Sequence, residues 1–375
     1  MSLKIVHCMN MTAHGNLSPK DLQAGGRGVT GSEQAMIYLA QMQAKMGHKV
    51  YCYYPTATPG NYDGVEVMNF DPAYPRFRRA DGADVAISWL SADFLRNFPE
   101  KTLKIHSLQI NDWMLNAAGS AEYADVRVAV SEAHRRHLLT QDACPGEDKW
   151  EVIPNGVDTG RFTGSAIRSR NRCVYLSSPD RGLHWALAIW PEIRFAFPDA
   201  ELHIYYEVQK WLENAVLLNN DLRRRAVYVT QRLQGGERHG IFVHGAVPPH
   251  ELSRELLAAD VMLYPCDPVR FTEGFGVAVL DACAAGVVPV LSDADALGEI
   301  YERSGAVVVP RLFGSQWTDR YLEAALDLLG NPEGRDIRRK KVQEFAYTYD
   351  WSAVSKLWMD MIEKHLQARA SCGEC

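Results

Sequence analysis

The chain has 375 residues, 47% of them hydrophobic, and a formal net charge of −6. That length predicts more than one domain with a real core, and the acidic balance excludes a nucleic-acid protein driven by bulk positive charge. Eight cysteines are too sparse for a secreted disulfide scaffold. The opening MSLKIVHCMN has no apolar signal core, and no stretch reaches the roughly 20 apolar residues of a membrane span. A reducing, cytoplasmic location is the expectation.

Leu3–Cys8 reads as a strand. A loop rich in Gly, Asn, Ser and Pro runs to Thr30. Gly31-Ser32-Glu33 then opens a helix, with Ser32 as its N-cap and Ala35, Leu39, Met42 and Met46 recurring on one face. Gly47 ends it, and Lys49–Tyr53 is the next strand. Strand, loop, helix, strand is a βαβ unit, the building block of parallel sheets. The loop GGRGVTGS lacks the lysine of a P-loop and the regular glycines of a dinucleotide fold.

Val65–Asn69, Asp84–Trp89, Leu103–His106 and Val126–Val130 continue as short apolar strands. His106 closes its strand, and strand C-termini in open parallel sheets face the ligand crevice. Pro72, Pro75 and Arg76-Phe77-Arg78-Arg79 form an irregular basic insert. It reads as a solvated face; docking to an anionic lipid surface or a phosphorylated acceptor is the alternative. Trp150–Ile153 leads into Pro154-Asn155-Gly156, a turn, and 159–172 reads as an interdomain linker.

Cys173–Leu176 opens a second α/β half. It runs into Ser177-Ser178-Pro179-Asp180-Arg181-Gly182, with Arg181 at a helix entrance, where a guanidinium and free amides make a clamp for a diphosphate. Glu201–Tyr205 is a strand. The stretch 207–238 is helical and polar, and its Arg223-Arg224-Arg225 reads as a solvated face. Ile241–His244 runs into Gly245-Ala246-Val247, and Val261–Tyr264 leads towards Glu273.

Thr272–Leu291, TEGFGVAVLDACAAGVVPVL, carries the densest pattern. Glu273 precedes a Gly-Phe-Gly turn, and Val277, Leu280 and Ala284 recur at helical spacing. Gly286 ends the helix before a buried strand. Glu273 and Asp281 are eight residues apart, close to two turns, so Asp281 lies roughly above the helix start. The amides of Gly274 to Val277 favour an anion there. Asp293-Ala294-Asp295 resembles a metal-binding D-x-D, but capping and turn formation explain it better, and no metal is expected. A helix over 316–329 and another over 351–369, with Trp351, Val354, Trp358 and Ile362 in register, end the chain.

The pattern T-E-G-F-G-x7-A-x2-G-x2-P-V resembles the donor-site signature of retaining GT-B glycosyltransferases, closest to glycosyltransferase family four (glycosyl transferases group 1). The glycine loop, P-N-G, S-P-D-R-G and H-G-x-V follow in the family's order. Two departures stand out. Asp281 takes the place of the family's second glutamate, and Arg181 is the single assignable cation where the family has an arginine and a lysine.

The resemblance implies two Rossmann-like domains facing a cleft, with 1–165 on the acceptor side, 166–345 binding the nucleotide sugar, and 346–375 returning to the first domain. It implies transfer from a nucleotide-diphosphate sugar to a glycan, lipid-linked or protein acceptor, with no metal and no cofactor. Glu273 and His106 become the catalytic candidates. Gly31, Ser178, Arg181, Val247, Phe275, Gly276 and Asp281 become the donor-binding candidates. Peripheral contact with the inner face of a membrane and no nucleic-acid partner complete the expectation. A catalytically degenerate sugar-nucleotide binder and a sugar-nucleotide epimerase of the same architecture are the alternatives.

Overall fold

The computed structural model describes the chain except residues 1, 13–14, 24, 71–81, 113–120, 142–143, 145, 165, 216–219, 267–270, 312–315 and 373–375. The basic insert at 76–79 therefore lies outside the described residues. The chain forms two compact units, Met1–Asp158 with Tyr349–Cys375, and Thr159–Thr348.

The first unit holds an eight-stranded sheet among the described residues: β1 (Lys4–Met9), β2 (Lys49–Tyr54), β3 (Gly60–Tyr62), β4 (Val65–Asn69), β5 (Val85–Trp89), β6 (Leu103–Ser107), β7 (Val126–Ala129) and β8 (Trp150–Val152). Their order is β3-β4-β2-β1-β5-β6-β7-β8, and only β3 runs antiparallel. The run Val85–Trp89 is buried throughout, as a strand covered on both faces should be. The short β3 was not expected from the sequence.

The helix Gly31–Lys45 is capped by Thr30, not by Ser32 as expected. Glu33 reaches back to the Thr30 amide at 2.8 Å, completing a capping box. Thr30 wins because the helix begins two residues earlier than a Ser32 cap would allow, which places Glu33 at the third helical position.

The terminal helix Trp351–Cys372 packs on this first unit. Trp351, Val354, Trp358 and Ile362 are buried in its core, and Trp358 stacks on Trp89 at 6.1 Å. A buried polar chain ties it down. Trp89 donates to His7 Nδ1 at 3.1 Å, His7 Nε2 donates to Gln43 at 2.7 Å, and Gln43 donates to the Met359 sulfur at 3.8 Å. Burial lowers the His7 pKa to about 4. Val157 and Asp350 form a parallel bridge beside Gly156, where a Cβ would sit 2.6 Å from the Trp351 ring. The Pro-Asn-Gly turn thus admits the root of the terminal helix.

The second unit holds a six-stranded parallel sheet among the described residues: β9 (Arg172–Tyr175), β10 (Glu201–Ile204), β11 (Ile241–Val243), β12 (Val261–Tyr264), β13 (Val288–Ser292) and β14 (Val307–Val309), in the order β11-β10-β9-β12-β13-β14. Its adjacent strands β12 and β13 are wholly buried. The chain builds outward from β9 on one side and from β12 on the other, so the order reverses between them. In an open parallel sheet, the crevice beyond the strand C-termini at such a reversal is where ligands bind.

The segment expected to be a linker belongs to this second unit. Thr159–Phe162 forms a helical turn with Phe162 buried, and Arg168 donates to the carbonyls of Ala259 and Ala285, both at 2.5 Å. A helix over Pro332–Tyr347, also unexpected, starts from an Asn331 cap.

Candidate functional site

The loops after β9 and β12 meet at the reversal. After β9 the chain makes a tight turn over Pro179–Arg181, and Gly182 follows with φ of +113°. A Cβ on Gly182 would lie 2.0 Å from the Pro265 carbonyl oxygen, so the two loops touch only because this residue is glycine. Tyr175 donates to the Ser178 carbonyl at 2.8 Å and meets Tyr264 edge to face. These two tyrosines, one from each central strand, form the floor under the loops.

Above them Arg181 donates to the carboxylate of Glu273 in a short ion pair. The arginine also reaches Ser177 Oγ at 3.5 Å, and Tyr264 shares that hydroxyl at 3.1 Å. The Glu273 side chain is 5% exposed and that of Arg181 is 35% exposed. Burial holds the Glu273 carboxyl above the usual carboxylate range, against the opposing pull of the Arg181 guanidinium and the Tyr264 hydroxyl. Burial favours a neutral Arg181, but Glu273, together with Tyr264, Asp180 and Cys266 around it, outweighs that and raises the guanidinium pKa. Ser177 and Tyr264 are the site members that sequence reasoning had least cause to place together. Tyr264 read only as the end of a strand.

Phe275 is buried, and Gly276 caps the helix Val277–Ala284 with φ of +86°. A Cβ there would stand 3.4 Å from Glu273 Oε2 and 3.0 Å from Leu297, so glycine lets the helix start close to the carboxylate. The Tyr301 hydroxyl fixes the Gly276 carbonyl at 2.9 Å. Arg181, Glu273, Ser177 and Gly276 therefore form one constellation, with Ser178 in the same loop.

Asp281 is buried on that helix in an ion pair with Arg161 at 2.5 Å, each side chain 7% exposed. Arg161 had been read as part of a linker, and no local pattern pointed to it. Arg225 also departs from the solvated face expected of its arginine run. Its side chain is 12% exposed, pairs with Asp221 at 3.0 Å, and donates to the Asp180 carbonyl at 3.3 Å, while Arg224 stays 78% exposed. The i, i+4 spacing of Asp221 and Arg225 was the available signal. Val247 is half-buried in the loop after β11, two strands from β9, where the Ala246 amide donates to Glu207 at 3.1 Å.

His106 and Gly31 belong to the first unit. Gly31 is the first residue of its helix and half-buried. His106 is fully buried at the end of β6, and its Nε2 contacts the Leu90 carbonyl at 2.9 Å. A carbonyl only accepts, so the proton sits on Nε2 and Nδ1 is left as an acceptor. Among the described residues, that Nδ1 is buried without a hydrogen-bond partner. Leu90 supplies its carbonyl from a left-handed backbone, φ of +70°, a costly conformation for a leucine. Burial lowers the His106 pKa to about 4, so the ring is neutral near pH 7.

No group of three or more His, Cys, Asp or Glu suited to a metal occurs among the described residues, and no described helix is long and apolar enough to cross a membrane.

Residues 170–331 match the family model described as glycosyl transferases group 1. The chain is 28% identical over 245 residues to a phosphatidyl-myo-inositol mannosyltransferase of Mycolicibacterium smegmatis, covering 63% of this chain and 56% of that protein. It is 23% identical over 251 residues to a GDP-mannose:cellobiosyl-diphosphopolyprenol alpha-mannosyltransferase of Xanthomonas campestris, covering 66% of this chain and 61% of that protein. The chain thus spans between about half and three fifths of the length of these relatives. In structure it is similar to a sucrose-phosphate synthase from Thermosynechococcus elongatus, with a TM-score of 0.69 at 14% identity, covering 98% of this chain and 100% of that one. The chain therefore has the GT-B architecture, and its second unit resembles the glycosyl transferases group 1 model over residues 170–331.

Proposed function

We propose that the protein is a glycosyltransferase that moves a hexose from a nucleotide-diphosphate sugar to a glycan, lipid-linked or protein acceptor, with retention at the anomeric carbon. The observation that carries this reading is the Arg181–Glu273 pair at the β9/β12 reversal, beside a helix start opened by Gly276. An arginine and helix amides at one point suit a diphosphate. A carboxylate next to them suits sugar hydroxyls.

Glu273 orients the sugar ring in this scheme. The exposed part of the Arg181 guanidinium and the amides of Phe275 and Gly276 stabilise the departing diphosphate, with Ser178 beside them. Asp281, oriented by Arg161, holds the ribose diol, and main-chain groups around Val247 read the base. The positive potential at the diphosphate comes from Arg181 and the helix amides, and in this reading it stands where a metal would.

Glu273 makes a poor nucleophile, being buried and tied to an arginine. That supports a front-face route. The acceptor oxygen bonds to the anomeric carbon as the bond from that carbon to the diphosphate oxygen breaks, and the leaving phosphate takes the acceptor proton.

Mannose is the first sugar to test, because both curated relatives named above are mannosyltransferases. Thermal stabilisation by a panel of GDP-, UDP- and ADP-sugars identifies the donor. Product stereochemistry by NMR then tests retention, and transfer in the presence of EDTA tests metal independence. We expect E273A to lower transfer at least ~100-fold, the scale of losing one preorganised electrostatic contact. Undiminished turnover in E273A, or no stabilisation by any sugar nucleotide, overturns the proposal.

A further inference from the structure

Asp295 stands in the loop after β13 with φ of +54°, a left-handed backbone held by a residue other than glycine. One of its carboxylate oxygens accepts from the Thr272 amide at 2.7 Å and from the Glu273 amide at 2.9 Å, with the Thr272 hydroxyl at 3.5 Å. The next residue, Ala296, donates its own amide to the Glu273 carbonyl at 3.1 Å. Both peptide groups of Glu273 are therefore gripped by two consecutive residues of a neighbouring loop. The Glu273 side chain is held separately, by Arg181.

We infer that Asp295 is a positioning residue: it fixes the backbone of Glu273 so that the carboxylate meets the sugar in a single orientation. This rests on the reading of Glu273 given above and adds a residue to it. The acidic pair Asp293 and Asp295 has the look of a metal motif, yet Asp295 spends its carboxylate on main-chain amides of the Glu273 loop. A site works only when its groups are held within about 0.5 Å of the productive geometry, and a strained backbone retained beside such a site is a sign of that demand. Glu273 lies in an irregular stretch between β12 and the helix at Val277, so no ladder or helix bond fixes it. Asp295 and Ala296 supply that constraint instead.

Two substitutions separate the hydrogen bonds from the backbone strain. Asn and Gly both tolerate a left-handed backbone. D295N keeps an oxygen able to accept both amides, whereas D295G removes it. Amide hydrogen exchange across 271–276 in the full chain is the first readout. D295G is expected to speed exchange at Thr272 and Glu273 at least tenfold, and D295N to stay near wild type.

The second readout is affinity for GDP-mannose and for GDP. D295G is expected to lose about tenfold on the sugar nucleotide and little on the bare diphosphate, with recovery in D295N. In an E273A background D295G should change neither affinity further, because residues acting through one another are not additive. A merely structural Asp295 predicts equal losses for both ligands that persist in the E273A background, and that result overturns the proposal. Wild-type exchange rates in D295G also overturn it. If the wild-type chain binds no sugar nucleotide, the functional reading fails while the exchange experiment still decides whether Asp295 fixes the loop. Should D295G not fold, D295S, whose hydroxyl is too short to hold both amides, is read the same way.

Discussion

Arg181 and Glu273 lie 92 residues apart in the chain and meet in an uneven ion pair: the carboxylate is almost sealed, while about a third of the guanidinium is open. The unevenness decides what each substitution does. R181M leaves an uncompensated charge in a buried place, whereas E273Q leaves an arginine that can turn to water. Breaking a fully buried pair costs about 3–5 kcal/mol; with one partner this open, about 2 kcal/mol is the expectation for R181M. Urea unfolding should rank R181M below E273Q in stability, and both should lose sugar-nucleotide binding.

The raised pKa of Glu273 fixes the sign of a pH effect. Between the ordinary carboxylate pKa and the raised one, the folded state keeps a proton that the unfolded chain has lost. Stability therefore falls as pH rises through that window. Transfer should move the opposite way, rising with pH as Glu273 ionises. E273Q is expected to flatten the stability slope, which denaturant melts at a series of pH values would read.

Three buried histidines of the first unit act in the other direction. His7, His106 and His134 are each lowered to about 4 by burial. Unfolding exposes rings that titrate near 6.5, so the unfolded state binds more protons below that pH. Stability should drop steadily from about pH 6.5 to about 4. The drop should be shallower in H134N, measured by melting temperature against pH.

The Arg161–Asp281 pair, both side chains 7% exposed, predicts a stability phenotype from a residue proposed to bind ribose. R161M and D281A should each cost about 3–5 kcal/mol. The double variant should cost clearly less than their sum, because neither charge is then left alone. A loss of activity in D281A would thus say nothing about ribose unless folding and donor affinity were measured together.

Gly182 is the most demanding backbone position in the site. G182A adds a Cβ that would lie 2.0 Å from the Pro265 oxygen in a conformation that L-residues avoid. The two loops must separate, at a cost of about 2–4 kcal/mol. Donor binding should fall with it, since Arg181 and the β12 loop lose their register.

Much of the fold was legible because parallel strands buried on both faces announce themselves. VAISW at Val85–Trp89 and VMLY at Val261–Tyr264 are apolar runs of strand length, the pattern of strands buried on both faces. The stripe Trp351, Val354, Trp358 and Ile362 likewise marked a buried helix, and its core partners are in the first unit. The spacing of Glu273 and the glycines pointed to the loop where the structure brings Glu273 beside Gly276, whereas Asp281 is taken up by Arg161. What misled were residues whose neighbours in sequence say little. Arg161 and Arg225 sit in polar, arginine-rich stretches that resemble any solvated surface, and their partners Asp281 and the Asp180 carbonyl lie 120 and 45 residues away. Ser32 lost the cap to Thr30 because a helix start is decided by which residue can place an acid three positions on.

By itself the sequence determined the periodicities, and with them two α/β halves, a glycine-opened helix start and an acid just before it. Those are local properties, set by side-chain pattern and backbone freedom over a few residues. Only the tertiary structure decided which charges are paired, which loop grips the Glu273 backbone, and which lone pair of His106 stays free. Those depend on distances between segments far apart in the chain, and on how much water each contact excludes.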